Sequence, residues 1–228
     1  MDRRGTAALV RPAMLLFMPL AFAWLLYRRR PALAVALTIG ATLVVTPWTV
    51  RNVRVYDRLV LIASEGGVTF WTGNNPLAGG EGDLAANLAI KEAELALRQR
   101  HAGLSPEQME PIYYREALAW IAEEPGRWLV LELRKAFYTI VPIGPSYAVH
   151  SPRYRFASIV PYLMLLPFAV PGAIRLWRSA RRPTPLFLLA GSAILMCLVF
   201  FPQERFRLPV IDPALLVAAA AMTGRSRS

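Results

Sequence analysis

Cysteine is nearly absent. Cys197 stands alone, which excludes an intramolecular disulfide framework and leaves it a small packing residue. Histidine is almost as scarce, and His101 and His150 sit in polar or turn settings that suit ordinary surface side chains. No grouping of Cys, His and carboxylates has the spacing of metal ligands, and no glycine-rich phosphate loop follows a strand pattern. The sequence therefore points to no metal and no bound cofactor. Charge is missing altogether from residues 12–27, 31–50, 156–174 and 183–203, and 208–224 is broken only by Asp212. Crossing a bilayer takes roughly 17–25 apolar residues in a helix. A soluble domain of 228 residues has no need of so many such runs. The expected fold is mainly α, a polytopic helical membrane protein with about five transmembrane helices.

A net charge of +11 resembles a nucleic-acid signal, but its distribution excludes one. Residues 51–155 carry twelve basic and twelve acidic side chains and are neutral. The excess lies beside apolar runs, in Arg28-Arg29-Arg30, in Arg175, Arg178, Arg181 and Arg182, and in Arg225 and Arg227. Short basic loops are retained in the cytoplasm. With these clusters inside, 51–155 and the loop around 202–209 fall outside, and Ser228 is cytoplasmic. The expected location is a membrane, crossed several times. The expected organisation is membrane helices over 1–50, an extracytoplasmic region over 51–155, and three further membrane helices over 156–228. Residues 1–11 contradict the scheme, since Arg3, Arg4 and Arg11 face only Asp2. An end that basic belongs inside, and no small-residue cleavage site marks a signal peptide. The expectation is that further helices precede this stretch and that the chain is a C-terminal portion.

Within 51–155, Leu59–Ala63 and Val68–Thr72 read as β-rich stretches around Gly66-Gly67. The segment 74–82 is turn chemistry, and Asp83 is a plausible N-cap for a helix over 84–100. Ser105, Pro106 and Gln108 make a capping box that opens the next helix, which ends near Glu124 because of Pro125. A basic amphipathic helix follows over 125–141, of the kind that lies along an interface.

Four places carry candidate chemistry. Trp48 at a span end fits an aromatic belt, and Arg51 beside it either snorkels to headgroups or, with Asn52, binds a lipid-linked phosphate. In the short outer loop, Arg205 and Arg207 suit an anion, with Glu204 orienting one of them; a solvated turn with a local ion pair is the alternative. Asn74 and Asn75 read first as a turn and second as contacts to sugar hydroxyls. Asp212, ahead of Pro213, reads as the N-cap of the last span.

Together, "TPWTVRNVRVYDRLVLIASEGGVTFWTGNNPLAGG", "EEPGRWLVLELRKAFY" and "ERFRLPVIDPALLVAAA" resemble the C-terminal half of bacterial polytopic glycosyltransferases of the GT-C superfold. The resemblance is to proteins near the protein O-mannosyltransferases and the aminoarabinose lipid A transferases. The resemblance also takes in "ALVRPAMLLFMPL" and covers nearly the whole chain. It implies transfer of a sugar from a polyprenyl-phosphate donor to an acceptor on the outer membrane face. On this reading Arg51, Asn52, Asn74, Asn75, Glu204, Arg205 and Arg207 bind the donor phosphate or substrate. The family's catalytic acid lies on a first outer loop that this sequence lacks, so the catalytic residue is unknown and the chain alone is expected not to turn over. The implied partners are the bilayer, a lipid-linked sugar, and a missing N-terminal half or partner subunit; nucleic acid is not among them. Two other readings remain, a non-catalytic or truncated membrane partner and a lipid transporter. The four spans between residues 12 and 203 hold no charge for the latter.

Overall fold

The computed structural model describes residues 16–56, 65–81, 86–141, 143–145, 151–178, 184–203, 206 and 211–223. These residues form nine helices and no strand. In chain order they are α1 (Phe17–Tyr27), α2 (Pro31–Tyr56), α3 (Gly66–Gly73), α4 (Leu88–Arg100), α5 (Pro106–Glu123), α6 (Pro125–Ile140), α7 (Pro152–Arg178), α8 (Thr184–Val199) and α9 (Ile211–Thr223).

Two of them, α2 and α7, are long and apolar enough to cross a membrane. Their apolar side chains mostly face away from the protein, as Leu43, Val44, Phe156 and Met164 do. The remaining apolar helices, α1, α8 and α9, are shorter. Between α1 and α2 the chain reverses through Arg29 at φ 54°, while Arg28 and Arg30 donate their N–H groups to the last carbonyls of α1. The α9 helix packs along α7, where Ala169, Ala218 and Ala219 are buried together. Small residues let helix backbones approach closely without any polar tie.

The region between α2 and α7 has its own core. Trp71 of α3, Ile90 and Leu97 of α4, and Met109, Tyr113 and Ala117 of α5 pack together. The capping box expected at Ser105 is present, Gln108 N–H donating to Ser105 Oγ at 3.4 Å and Ser105 N–H to Gln108 Oε1 at 2.8 Å. A buried polar contact crosses this core. The Tyr113 hydroxyl donates to Glu94 at 2.6 Å, and Arg98 pairs with the same carboxylate. Burial, then the Glu94 contact, pushes the Tyr113 phenol up to about 12.

Three expectations need correction. Val68–Thr72 lies inside helix α3 and is not a strand. β-propensity is a preference for a half-buried pleated surface and yields to packing. Here a helix buries Gly67, Trp71, Thr72 and Gly73, a set a two-residue alternation could not bury together. The other expected strand, Leu59–Ala63, lies outside the described residues. Helix α4 starts at Leu88, and Asn87 caps it by accepting from Ile90 N–H at 3.3 Å; Asp83 lies outside the described residues. Asp212 stands in the first turn of α9 and does not precede it, a position where a carboxylate still complements the positive helix end.

The crossing of α3 over α5 sets a pH dependence. A Cβ on Gly67 would lie 2.6 Å from the backbone oxygen of Glu110, so the helices touch backbone to backbone. The Glu110 carboxylate accepts from Gly67 N–H at 3.0 Å. Burial pushes this carboxyl above its ordinary range; the Gly67 and Gly66 amides pull it partly back, and Glu107 and Glu65 add to the rise. A raised folded-state pKa gives stability that is complete below the unfolded value of about 4.3 and is lost as pH rises through the folded value. Glu110→Gln keeps an acceptor for Gly67 and removes the titration. Thermal unfolding of wild type should fall as pH rises from about 4.3 relative to that of the variant. Parallel curves between pH 4 and 8 would show that Glu110 is not strained by its burial.

Candidate functional site

A buried lysine organises the contact between the α3–α5 region and the apolar helices. On α6, residues 128, 131, 132, 135 and 139 fall on one side by the helical period. That side faces the protein, with Leu131, Lys135 and Thr139 buried and Trp128 and Glu132 half-buried. The opposite side, Leu129, Val130, Leu133, Phe137 and Ile140, is exposed. Helix α6 is thus an inverted amphipath, with an ammonium turned in and an apolar stripe turned out.

All three ammonium protons of Lys135 are used. Nζ donates to Glu132 Oε1 at 2.7 Å, to Asn74 Oδ1 at 2.9 Å and to the Leu198 carbonyl at 3.0 Å. Asn74 Nδ2 donates to the Val199 carbonyl at 2.9 Å and to the Phe70 carbonyl at 2.9 Å. Trp128 Nε1 adds a bond to Asn74 Oδ1 at 3.2 Å. The last four carbonyls of a helix have no partner within it, and they carry the negative end of its dipole. Lys135 and Asn74 therefore cap the C-terminus of α8 from outside, a cation at the pole that favours one. Burial pulls the Lys135 ammonium below its ordinary range, and Glu132 pushes it partly back. With every donor engaged, the side chain is an anchor and not a nucleophile.

The sequence signals fall on this node unevenly. Asn74 makes all four bonds its amide can make, which leaves none for a sugar hydroxyl. Asn75 is also buried, its Nδ2 donating to the Trp71 and Thr72 carbonyls and its Oδ1 accepting from Leu77 N–H at 2.8 Å. Both asparagines build the turn that ends α3. Arg51 and Asn52 lie within α2, which runs on to Tyr56. Arg51 is exposed, its guanidinium 5.1 Å from the Trp48 ring centre and donating to Asn52 Oδ1 at 3.1 Å. Asn52 itself is buried. Glu204, Arg205 and Arg207 lie outside the described residues, but Glu204 stands only five residues after Val199 in the sequence. The node thus fixes the chain immediately before them.

Sequence reasoning missed Lys135, Glu132 and Trp128. The usual rule turns the apolar side of a helix inward, and here it faces out. One signal was available, a Glu and Lys three apart on the side opposite the apolar stripe. No protein-family model, curated protein or solved structure matches the chain.

Proposed function

We propose that this chain is part of a bacterial inner-membrane glycosyltransferase of the GT-C kind, moving a sugar from a polyprenyl-phosphate donor to an acceptor on the outer face. In this reading the apolar helices make five crossings, 51–155 is outside, and α6 lies in the interface with its apolar stripe in lipid. The sequence resemblance supports the reaction. One structural observation carries the architecture: α6 exposes apolar side chains and buries its lysine, an arrangement suited to a lipid surface and costly in water. Arg51 is then the described residue best suited to a donor phosphate, because its exposed guanidinium is already oriented over Trp48.

The test is a titration of purified protein with a polyprenyl phosphate. Losing a hydrogen bond to a charged group typically costs about 1.5–3 kcal/mol, so Arg51→Ala should weaken binding about tenfold or more. Arg51→Lys should recover only part, since an ammonium lacks the two-pronged contact. Arg205→Ala should behave like Arg51→Ala. Equal affinity for wild type and Arg51→Ala would return Arg51 to a headgroup anchor.

A second reading, a membrane partner without catalysis of its own, is favoured by how the buried and half-buried carboxylates are used. Glu81, Glu94, Glu110 and Glu132 each accept internal hydrogen bonds. Glycosyl transfer needs a base, and general acid–base groups contribute about 10²–10⁴-fold. Turnover of a lipid-linked sugar by the purified chain would remove this second reading.

A further inference from the structure

About a third of the way round α6 from the lysine node lies a half-open groove of about 610 Å³ between the end of α5, the start of α6 and the turn at Pro76. Arg127, Val130, Leu131 and Arg134 line it from α6, and Trp120 lines it from α5. The spacing of the four α6 residues sets them in one stripe. The two arginines stand two turns apart, about 10 Å along the axis, close enough for both guanidiniums to reach one anion between them. Arg127 is partly committed, pairing with Glu124 at 2.6 Å and donating to the Pro76 carbonyl at 3.3 Å. Arg134 is exposed and makes no ion pair or hydrogen bond among the described residues.

The wall of the groove holds a second, independent feature. Trp120 is 8% exposed, and its indole N–H is out of solvent with no acceptor among the described residues. Buried donors without partners are uncommon in folded proteins and ask for an explanation, such as a ligand. Val130 lines the groove, and the exposed Leu133 and Phe137 continue from it along the neighbouring side of α6, beside Arg134. A ligand that satisfies every feature has anionic oxygens at one end and an apolar body at the other.

We propose that this groove binds the phosphate of an anionic membrane phospholipid. Arg134 and Arg127 hold the phosphate, and the Trp120 indole is the donor for a phosphate or ester oxygen. The acyl chains lie over the outward stripe of α6. The site is separate from the Arg51 region, and it rests on the reading that α6 lies in a membrane interface. Its occupant secures the α3–α6 region to the bilayer and is not consumed.

The test uses the full chain in neutral detergent, titrated with dihexanoyl phosphatidylglycerol, dihexanoyl phosphatidylcholine and inorganic phosphate, with bound lipid counted by native mass spectrometry. Phosphatidylglycerol should bind at least tenfold more tightly than phosphatidylcholine. Arg134→Gln should lower that affinity about tenfold, and Arg134→Lys should restore part of it. Trp120→Phe keeps a ring and removes the donor, and should lower affinity several-fold. Arg134 is exposed, so its variants test the site even where Trp120→Phe does not fold. Equal phosphatidylglycerol affinity for wild type and Arg134→Gln would overturn the proposal. Inorganic phosphate binding as tightly as the lipid, with the same dependence on Arg134, would overturn the lipid and make this a free-anion site. Arg51→Ala should leave phosphatidylglycerol binding unchanged, so a failure of the donor-phosphate reading is distinguishable from a failure here.

Discussion

Lys135→Met should destabilise the protein by about 3–5 kcal/mol, the usual cost of removing one partner from a buried charge pair. The methionine matches the lysine in length and fills the same space, so the effect isolates the polar contacts. Three acceptors lose a donor at once. The Leu198 carbonyl at the end of α8 is left with no cap, and Asn74 Oδ1 keeps only Trp128. Glu132, whose side chain is 16% exposed, is left as a nearly buried, unpaired carboxylate. Glu132→Gln in the Lys135→Met background should therefore recover part of the loss, as it removes the stranded charge. Chemical unfolding monitored by tryptophan fluorescence measures the loss. Limited trypsin digestion at Arg98 and Arg100 reports whether the α3–α5 region has come away. A change within 0.5 kcal/mol, about the size of an ordinary surface substitution, would mean that the node is an incidental contact.

Gly73→Ala should be comparably damaging for a steric reason. A Cβ at this position would overlap the Phe200 carbonyl oxygen and come within 3.3 Å of Phe200 Cα. The obstacle is backbone, which cannot rotate aside as a side chain can. The end of α3 and the end of α8 would have to part, which stretches the bond from Asn74 Nδ2 to the Val199 carbonyl. Overpacking a tight contact costs about 1–3 kcal/mol and occasionally more, and this case belongs at the upper end. Gly191→Ala is the control. It lies inside α8, the other helix of this contact, with nothing within 4 Å of the added carbon, and an alanine in a helix interior is favoured over glycine by about 0.5–1 kcal/mol. Because Gly73 and Lys135 act on one contact, Gly73→Ala with Lys135→Met should cost less than the sum of the two. Strict additivity would show that the two positions act on separate contacts.

The elements legible in the sequence were those whose signals are local. The boundaries of α5 and α6 follow from Ser105, Gln108 and Pro125, each of which acts on its own backbone or its immediate neighbour's. The long apolar helices followed from runs without charge. What was not legible depended on contacts far along the chain. The extent of α2 was underestimated because hydrophobicity stops at Val50, while helical hydrogen bonding continues through Arg51 and Asn52 to Tyr56. The helical state of Val68–Thr72 depends on Gly67 meeting Glu110, 43 residues away. Lys135 was the deepest omission. A lysine reads as a surface residue, and its burial becomes intelligible only when the open end of α8, some 60 residues later, is brought beside it. The candidate site was legible to a similar degree. "GNNP" does mark a special position, but its asparagines serve the polypeptide's own carbonyls.

The central claim is that the lysine node joins an outer region to helices that cross the bilayer. Topology tests it most directly. Reporter fusions at Gln99, in α4, and after Ser228, beyond α9, each give a signal on one side of the membrane only. The account predicts that Gln99 reports outside and Ser228 reports cytoplasmic. The same compartment for both would contradict the five-crossing architecture and, with it, the donor site on the outer face.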